Sequence, residues 1–252
     1  MKRFALWMPG LMFLLSAAAG EQADQNRKGI VTYIDGQVRR KAIHLEEWTS
    51  APVNTEILSG DKVRTFSESR AELDLAQLDI IRLAPRTEVD IIRLYEETRE
   101  KQVSTQIHLA EGEIWGAVGK IEAETEFDVS APIAAAAITG TVFRLKVETD
   151  STTQLKVYSG EVRITNAIDK KEPAIHSPIP RQIEGPRQIA PPHEVSVEEW
   201  MVIIQSMQQV TIDKQGRIVS QGSFSHKDKD EKDPWVLWNK KRDEKIRNRL
   251  QE

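Results

Sequence analysis

The sequence predicts an all-β protein: an antiparallel β-sandwich or roll of about a dozen short strands, followed by a proline-rich arm and one or two short C-terminal helices. Three observations carry this prediction. Short apolar runs alternate with charged residues, as where Val142, Leu145 and Val147 interleave with Arg144, Lys146 and Glu148, with one slip at Phe143. Glycine turns recur at Gly36, Gly60, Gly112, Gly140 and Gly160 at uneven intervals, which reads as a repeated hairpin device and not as a solenoid. Pro173, Pro178, Pro180, Pro186, Pro191 and Pro192 then exclude a continuous helix or a central strand over that stretch.

In chain order, Met1-Lys2-Arg3, the apolar run Phe4 to Leu15 and Ala17-Ala18-Ala19 have the layout of a cleaved secretory signal peptide over residues 1–19, with the junction near Ala19-Gly20. That apolar run is short of the ~20 residues a spanning helix needs. The β-domain is expected over 29–168. Ile30 to Ile34 is a strand, Asp35-Gly36 has the composition of a two-residue hairpin, and Val38 begins the return. Leu45 to Pro52 reads as a loop holding Trp48. Strands follow at Lys62–Thr65, Ala71–Leu75, Asp79–Leu83 and Val89–Tyr95, and Glu96 to Gln102 is an exposed charged loop. Val103–Leu109 and Glu113–Val118 are expected as a hairpin about Glu111-Gly112. Val142–Val147, Leu155–Tyr158 and Val162–Thr165 supply three more strands, with a turn at Gly160. Phe143, Leu145 and Val157 belong at the centre of the core.

Residues 169–194 are expected as a proline-rich linker or arm. Ser196 has the chemistry of an N-cap, and Val197, Met201, Ile204 and Met207 recur at helical spacing, so 195–222 is expected as a helix plus the hairpin around Lys214-Gln215-Gly216. His226 to Lys232 reads as a disordered tether within 223–252. Asp233-Pro234 caps a last amphipathic helix with Trp235 and Trp238 on one face and a basic remainder. A helix this short is not stable alone, so it docks on its own domain, on a partner or on a membrane surface. Trp235, Trp238, Lys241 and Arg242 are its candidate partner-binding residues.

Several stretches taken together resemble the FecR domain. Leu58-Ser59-Gly60-Asp61-Lys62-Val63-Arg64-Thr65, Ser69-Arg70-Ala71-Glu72-Leu73, Leu109-Ala110-Glu111-Gly112-Glu113-Ile114-Trp115, Pro132 with Gly140-Thr141-Val142-Phe143, and Val157 to Val162 are similar to that family's motifs, in order, over Gly29 to Asn166. Where the family often has Asp-Gly-Ser, this chain has Gln77-Leu78-Asp79. The resemblance implies an extracytoplasmic interaction domain. Members that carry a membrane helix and a cytoplasmic anti-sigma segment relay signals to a sigma factor. That relay is not expected here, since the sequence contains no second apolar stretch of spanning length.

The sequence offers no catalytic, cofactor or metal set. The five histidines show no ligand spacing, and the chain has no cysteine. Glu46-Glu47 and Glu96-Glu97 read as solvated charge among 39 acidic residues. Ala134–Ala137 before Gly140-Thr141 lacks the lysine of a phosphate loop and reads as close packing of two chain segments. Trp115 reads as core in preference to a sugar platform. Removing Lys2 and Arg3 takes the formal charge from −4 to −6, which argues against a nucleic-acid partner. The expectation is a periplasmic or secreted non-enzymatic module that engages an envelope protein or cell-wall glycan, with membrane-surface contact through the last helix. The alternative is a carbohydrate-active enzyme on a β-sandwich, which would need two carboxylates facing one cleft.

Overall fold

The computed structural model describes residues 28–75, 79–97, 103–119, 125–166 and 200–249. The signal peptide, the proline-rich arm, the 196–199 helix start and Gln77-Leu78 lie outside the described residues. Those described form fifteen strands: β1 (Gly29–Asp35), β2 (Val38–Lys41), β3 (Thr49–Ser50), β4 (Glu56–Ile57), β5 (Lys62–Thr65), β6 (Arg70–Asp74), β7 (Ile80–Leu83), β8 (Glu88–Glu97), β9 (Val103–Ala117), β10 (Thr125–Ala131), β11 (Ala134–Val147), β12 (Thr153–Asn166), β13 (Met201–Gln205), β14 (Gln208–Ile212) and β15 (Ile218–Ser223). A 3₁₀ turn (Lys229–Lys232) and one helix, α1 (Pro234–Arg249), close the chain.

The strands make two layers that share β9, β11 and β12. In sheet I the order is β3-β2-β5-β8-β9-β10-β11-β12-β13, using the first halves of β9 and β11 and the second half of β12. In sheet II it is β4-β1-β6-β7-β9-β11-β12-β14-β15, using the complementary halves. Every pairing is antiparallel except β9 with β10, which run parallel. One core lies between the layers, where Leu73, Ile81, Ile114, Phe143 and Leu155 of sheet II meet Val63, Val89, Ile107, Val129 and Ile164 of sheet I. Phe143, Leu145 and Val157 are buried there, as the alternation predicts.

The strand count and several turns differ from the sequence reading. Gly112 and Gly160 are not hairpin turns; with Gly140 they sit inside strands of 14 or 15 residues. All three have positive φ (93°, 86° and 59°), and β11 and β12 shift register around them. They bend each strand from one layer into the other, the device by which strands switch sheets at a corner. Asp35-Gly36 turns the chain between layers too, since β1 pairs with β4 and β6 while β2 pairs with β3 and β5.

The helix expected from Ser196 is absent over its described part, where β13 and β14 stand instead. Val202-Ile203-Ile204 is a β-branched run, with Ile204 fully buried against the core and Met201 and Ile203 exposed. The hairpin around Lys214-Gln215-Gly216 is present between β14 and β15. The 226–232 tether is ordered as a turn, because Glu231 is buried at its end.

The corner glycines and the core aromatic are the points of least tolerance. Phe143→Ala is expected to lower unfolding free energy by ~3–5 kcal/mol. Gly160→Ala must also destabilise, since its Cβ would meet the Gly140 carbonyl oxygen at 2.7 Å on a backbone at φ +86°. Denaturant melts check both. An unchanged midpoint for either variant contradicts the core or the corner assignment.

Candidate functional site

Each central strand of sheet II carries one non-core residue between two core positions: Ala71-Glu72-Leu73, Ile81-Arg82-Leu83, Ile114-Trp115-Gly116, Phe143-Arg144-Leu145 and Leu155-Lys156-Val157. Side chains alternate along a strand, so the central residues stand on the outer face. Register sets them directly opposite one another, in the continuous row Glu72–Arg82–Trp115–Arg144–Lys156. Such a row would ordinarily be wet, yet Arg82 is 0% exposed and Lys156 2%.

The C-terminal segment covers it. From α1, Asp243 accepts from Arg82 at 2.6 Å and from the Trp115 indole at 2.9 Å. Arg242 forks onto Glu72 at 2.7 and 2.6 Å, and Arg82 reaches the same carboxylate at 2.6 Å from the other side. At the 3₁₀ turn, Glu231 accepts from Lys156 (3.1 Å), Tyr158 (3.0 Å) and Lys240 (2.8 Å), and Asp230 accepts from Lys156 and Arg144. Glu113, two residues before Trp115, holds Arg144 at 2.6 and 3.2 Å. Arg82, Arg144, Lys156, Lys240 and Arg242 are thereby matched by Glu72, Glu113, Asp230, Glu231 and Asp243. A small apolar cluster of Ala84, Trp115, Trp235 and Val236, edged by Val142, Tyr158 and Trp238, lies among the charges.

The four residues singled out in the sequence are all on α1. Trp235 is buried and stacks on Trp238 at 5.4 Å, and Trp238 meets Tyr33 of β1 at 5.4 Å. The Arg242 guanidinium lies over both Tyr33 and Trp238. Lys241 faces outward with Leu237, Glu244 and Lys245. The helix therefore docks in cis, and Trp235, Trp238 and Arg242 are spent on the chain's own sheet. Sequence reasoning missed the sheet's half of this contact. Its signal is an apolar–charged–apolar triplet at the middle of four strands, with Trp115 in the matching place on the fifth, facing a helix rich in charge.

Burial alone would raise the Glu72 carboxyl, but the hydrogen bonds from Arg242 and Arg82 outweigh it and hold the group at about 2, down from 4.5. Burial likewise works against the charged Asp230, and Lys156 more than offsets it, so its pKa is lowered. Burial raises the Tyr158 hydroxyl, and the neighbouring Glu231 charge adds to this, so Tyr158 stays a donor. Burial lowers His108. The shifts of Glu72 and Asp230 suit permanent ion pairs. A general acid needs the opposite, a carboxyl raised toward neutrality.

Two other places gather polar side chains. An open groove of about 1080 Å³ runs from the N-terminus of α1 (Asp233, Trp235) past Ala84, Pro85 and Phe66, with Arg64, Arg70, Arg86 and Lys146 interspersed with Glu68, Glu111 and Glu148. On the outer face of sheet I, Asp90, His108 and Ser130 stand in one cross-strand row, with His108 Nδ1 3.0 Å from Ser130 Oγ. That row has the residue types of a hydrolase triad, but Ser130 Oγ also bonds the Ile107 carbonyl, Asp90 pairs with Lys62, and Ser130 is paired in the ladder on both sides, with His108 and with Ala135. A nucleophile there would have no free backbone N–H pair to receive an oxyanion. His44, Glu46, Glu47 and His226 are exposed; His176 and His193 lie outside the described residues. Among the described residues, no group of three or more His, Asp and Glu side chains is arranged to hold a metal ion, and no helix is long and apolar enough to cross a membrane.

Residues 61–163 match the FecR protein family. The chain carries a FecR domain. The match begins at Asp61, whose carboxylate ties Arg40 and the Leu58 amide, and ends in β12. All five residues of the buried row fall within the FecR match, and their C-terminal cover falls outside it. No curated protein matches the chain. Two crystal structures of a candidate anti-sigma factor from Parabacteroides distasonis ATCC 8503, at 1.65 and 2.50 Å resolution, are similar at 13% identity and a TM-score of 0.45. The likeness covers 64% of this chain and 59% of that one, less than two thirds of its length.

Removing the cover should cost the FecR domain stability. A chain ending after Phe224 is expected to melt lower, by on the order of 3–6 kcal/mol for the tryptophan and helix area lost at ~25 cal/mol per Å²; an unchanged midpoint contradicts docking in cis. Acid should loosen the full chain. Glu72 is charged in the fold well below the pH at which it protonates in the unfolded chain, so its contribution is whole above 4.5 and drains as pH falls toward about 2. Glu72→Gln should flatten that part of a stability–pH curve, and a curve of unaltered shape contradicts the assignment.

Proposed function

We propose that this protein is a non-enzymatic FecR-type binding or scaffolding module that works outside the cytoplasm and engages an envelope protein. The FecR match over 61–163 carries the reading. The leader-like residues 1–19 support the compartment. Chemistry supports the absence of catalysis. The carboxylates gathered on sheet II are each tied to cations, and Glu72 is held at about 2, far from a general acid. A groove lined by charges of both signs beside Phe66 and Trp235 has the composition of a protein-contact surface, unlike the uniformly basic track that nucleic acid requires. Outward-facing Lys241 and Lys245 on α1 add further exposed charge.

The test uses the purified chain on resin against solubilised envelope and, separately, isolated cell-wall sacculi. Recovery of a defined envelope protein that weakens with salt and is lost on Arg86→Glu with Lys146→Glu is the expected result. Retention on sacculi with no protein captured would replace the protein partner with cell-wall glycan. Turnover of a glycoside substrate by the pure chain would overturn the non-enzymatic reading.

A further inference from the structure

The flank of the sandwich beyond β12 is built differently from the rest of the surface. Charged residues make up 29% of the chain, yet none occurs from Met201 to Ile212 or from Ile218 to Phe224. The charges between them, Asp213, Lys214 and Arg217, are confined to the β14–β15 turn. Met201 (65% exposed), Ile203 (48%) and Val219 (59%) leave large apolar side chains in the open on this flank.

The last strand of sheet II here is β15. Among the described residues it pairs on one side only, with β14, and five of its six residues are exposed. The opposite margins of the two sheets are β3 and β4, of two residues each, too short to template another strand. Proteins ordinarily blunt a longer edge with lysine, proline or a covering segment. β15, Ile-Val-Ser-Gln-Gly-Ser, has no lysine, no proline, and no described segment over it. Among the described residues its outer N–H and C=O groups have no partner, which defines the occupant chemically as another extended strand.

We propose that β15 is a homodimer edge, pairing antiparallel with β15 of a second copy so that sheet II continues across a twofold axis. A twofold makes one surface self-complementary, and the edge meets that demand: no charge in 218–223 opposes its own image. Gly222 adds room, since a Cβ there would meet nothing within 4 Å. The cis-docked helix lies over the outer face of sheet II and not along this edge, so pairing leaves the Glu72–Lys156 row covered. The proposal stands apart from the envelope-partner reading.

Sedimentation and light scattering of the full chain across a concentration series test it. The expected result is a dimer at high concentration that dissociates on dilution, with slowed amide exchange at residues 218–223 only in the dimer. Val219→Lys with Gly222→Lys puts two cations on the edge; it should be monomeric wherever the native chain dimerises, with an unchanged circular dichroism spectrum. A native chain that stays monomeric at high concentration overturns the proposal. So does a dimer whose 218–223 amides exchange as fast as in the monomer, or one the double-lysine variant still forms. If that variant misfolds, the exchange comparison on the native chain decides alone.

Discussion

The Arg82 guanidinium lies between two carboxylates from opposite ends of the chain, Glu72 on the neighbouring strand and Asp243 on the last helix, with no exposure to solvent. Taking three charges out of water is costly, and an apolar contact of the same size would serve stability as well or better. The arrangement is sensitive to removal of any member, because an unpaired buried charge is worse than either alternative. Charge also does what grease does poorly. Arg242 meets Glu72, Asp243 meets Arg82 and Trp115, and Glu231 meets Lys156, Tyr158 and Lys240, so one placement of the helix satisfies all of them. Register of the helix on the sheet follows from that matching.

The row can exist only because the sheet is continuous beneath it. Glu72, Arg82, Trp115, Arg144 and Lys156 come from five strands, and three of those strands bend between the layers at a glycine, two of them entering sheet II and one leaving it. Gly112 delivers Trp115 and Gly140 delivers Arg144; Lys156 is placed before the chain leaves again at Gly160. Gly116 completes the packing beneath, where the absent side chain makes room for the Phe143 ring opposite it. Corner geometry, core packing and the charged face are therefore one construction, and a slip of one residue in any shared strand would turn its charge into the core.

The alternation of single strands is legible from residues alone, and so are the buried positions of Phe143, Leu145 and Val157 and the β14–β15 hairpin. Length and connectivity are not. A glycine with Val or Ile two residues further on looks the same whether it ends a hairpin or bends a strand between layers, and only long-range pairing tells Gly112 and Gly160 from true turns. Met201 to Met207 satisfies a helical spacing and a strand alternation at once, and the edge of β12 settles it in favour of the strand. On the outer face of sheet II, alternation alone makes each polar residue look wet. Its cover comes from residues more than a hundred positions further along for Trp115 and Arg82, a separation no local pattern reports. The two tryptophans of α1 do signal the need for a surface, and that surface is the chain's own.

A double-mutant cycle between Arg82 and Asp243, read by equilibrium denaturation, tests the central claim that the C-terminal helix is held in cis by charges matched to the sheet. Arg82→Met and Asp243→Leu should each cost ~3–5 kcal/mol by leaving a buried partner unpaired. The double variant, apolar on both sides, should recover most of that loss. Strict additivity of the two, or single variants without effect, would contradict the claim.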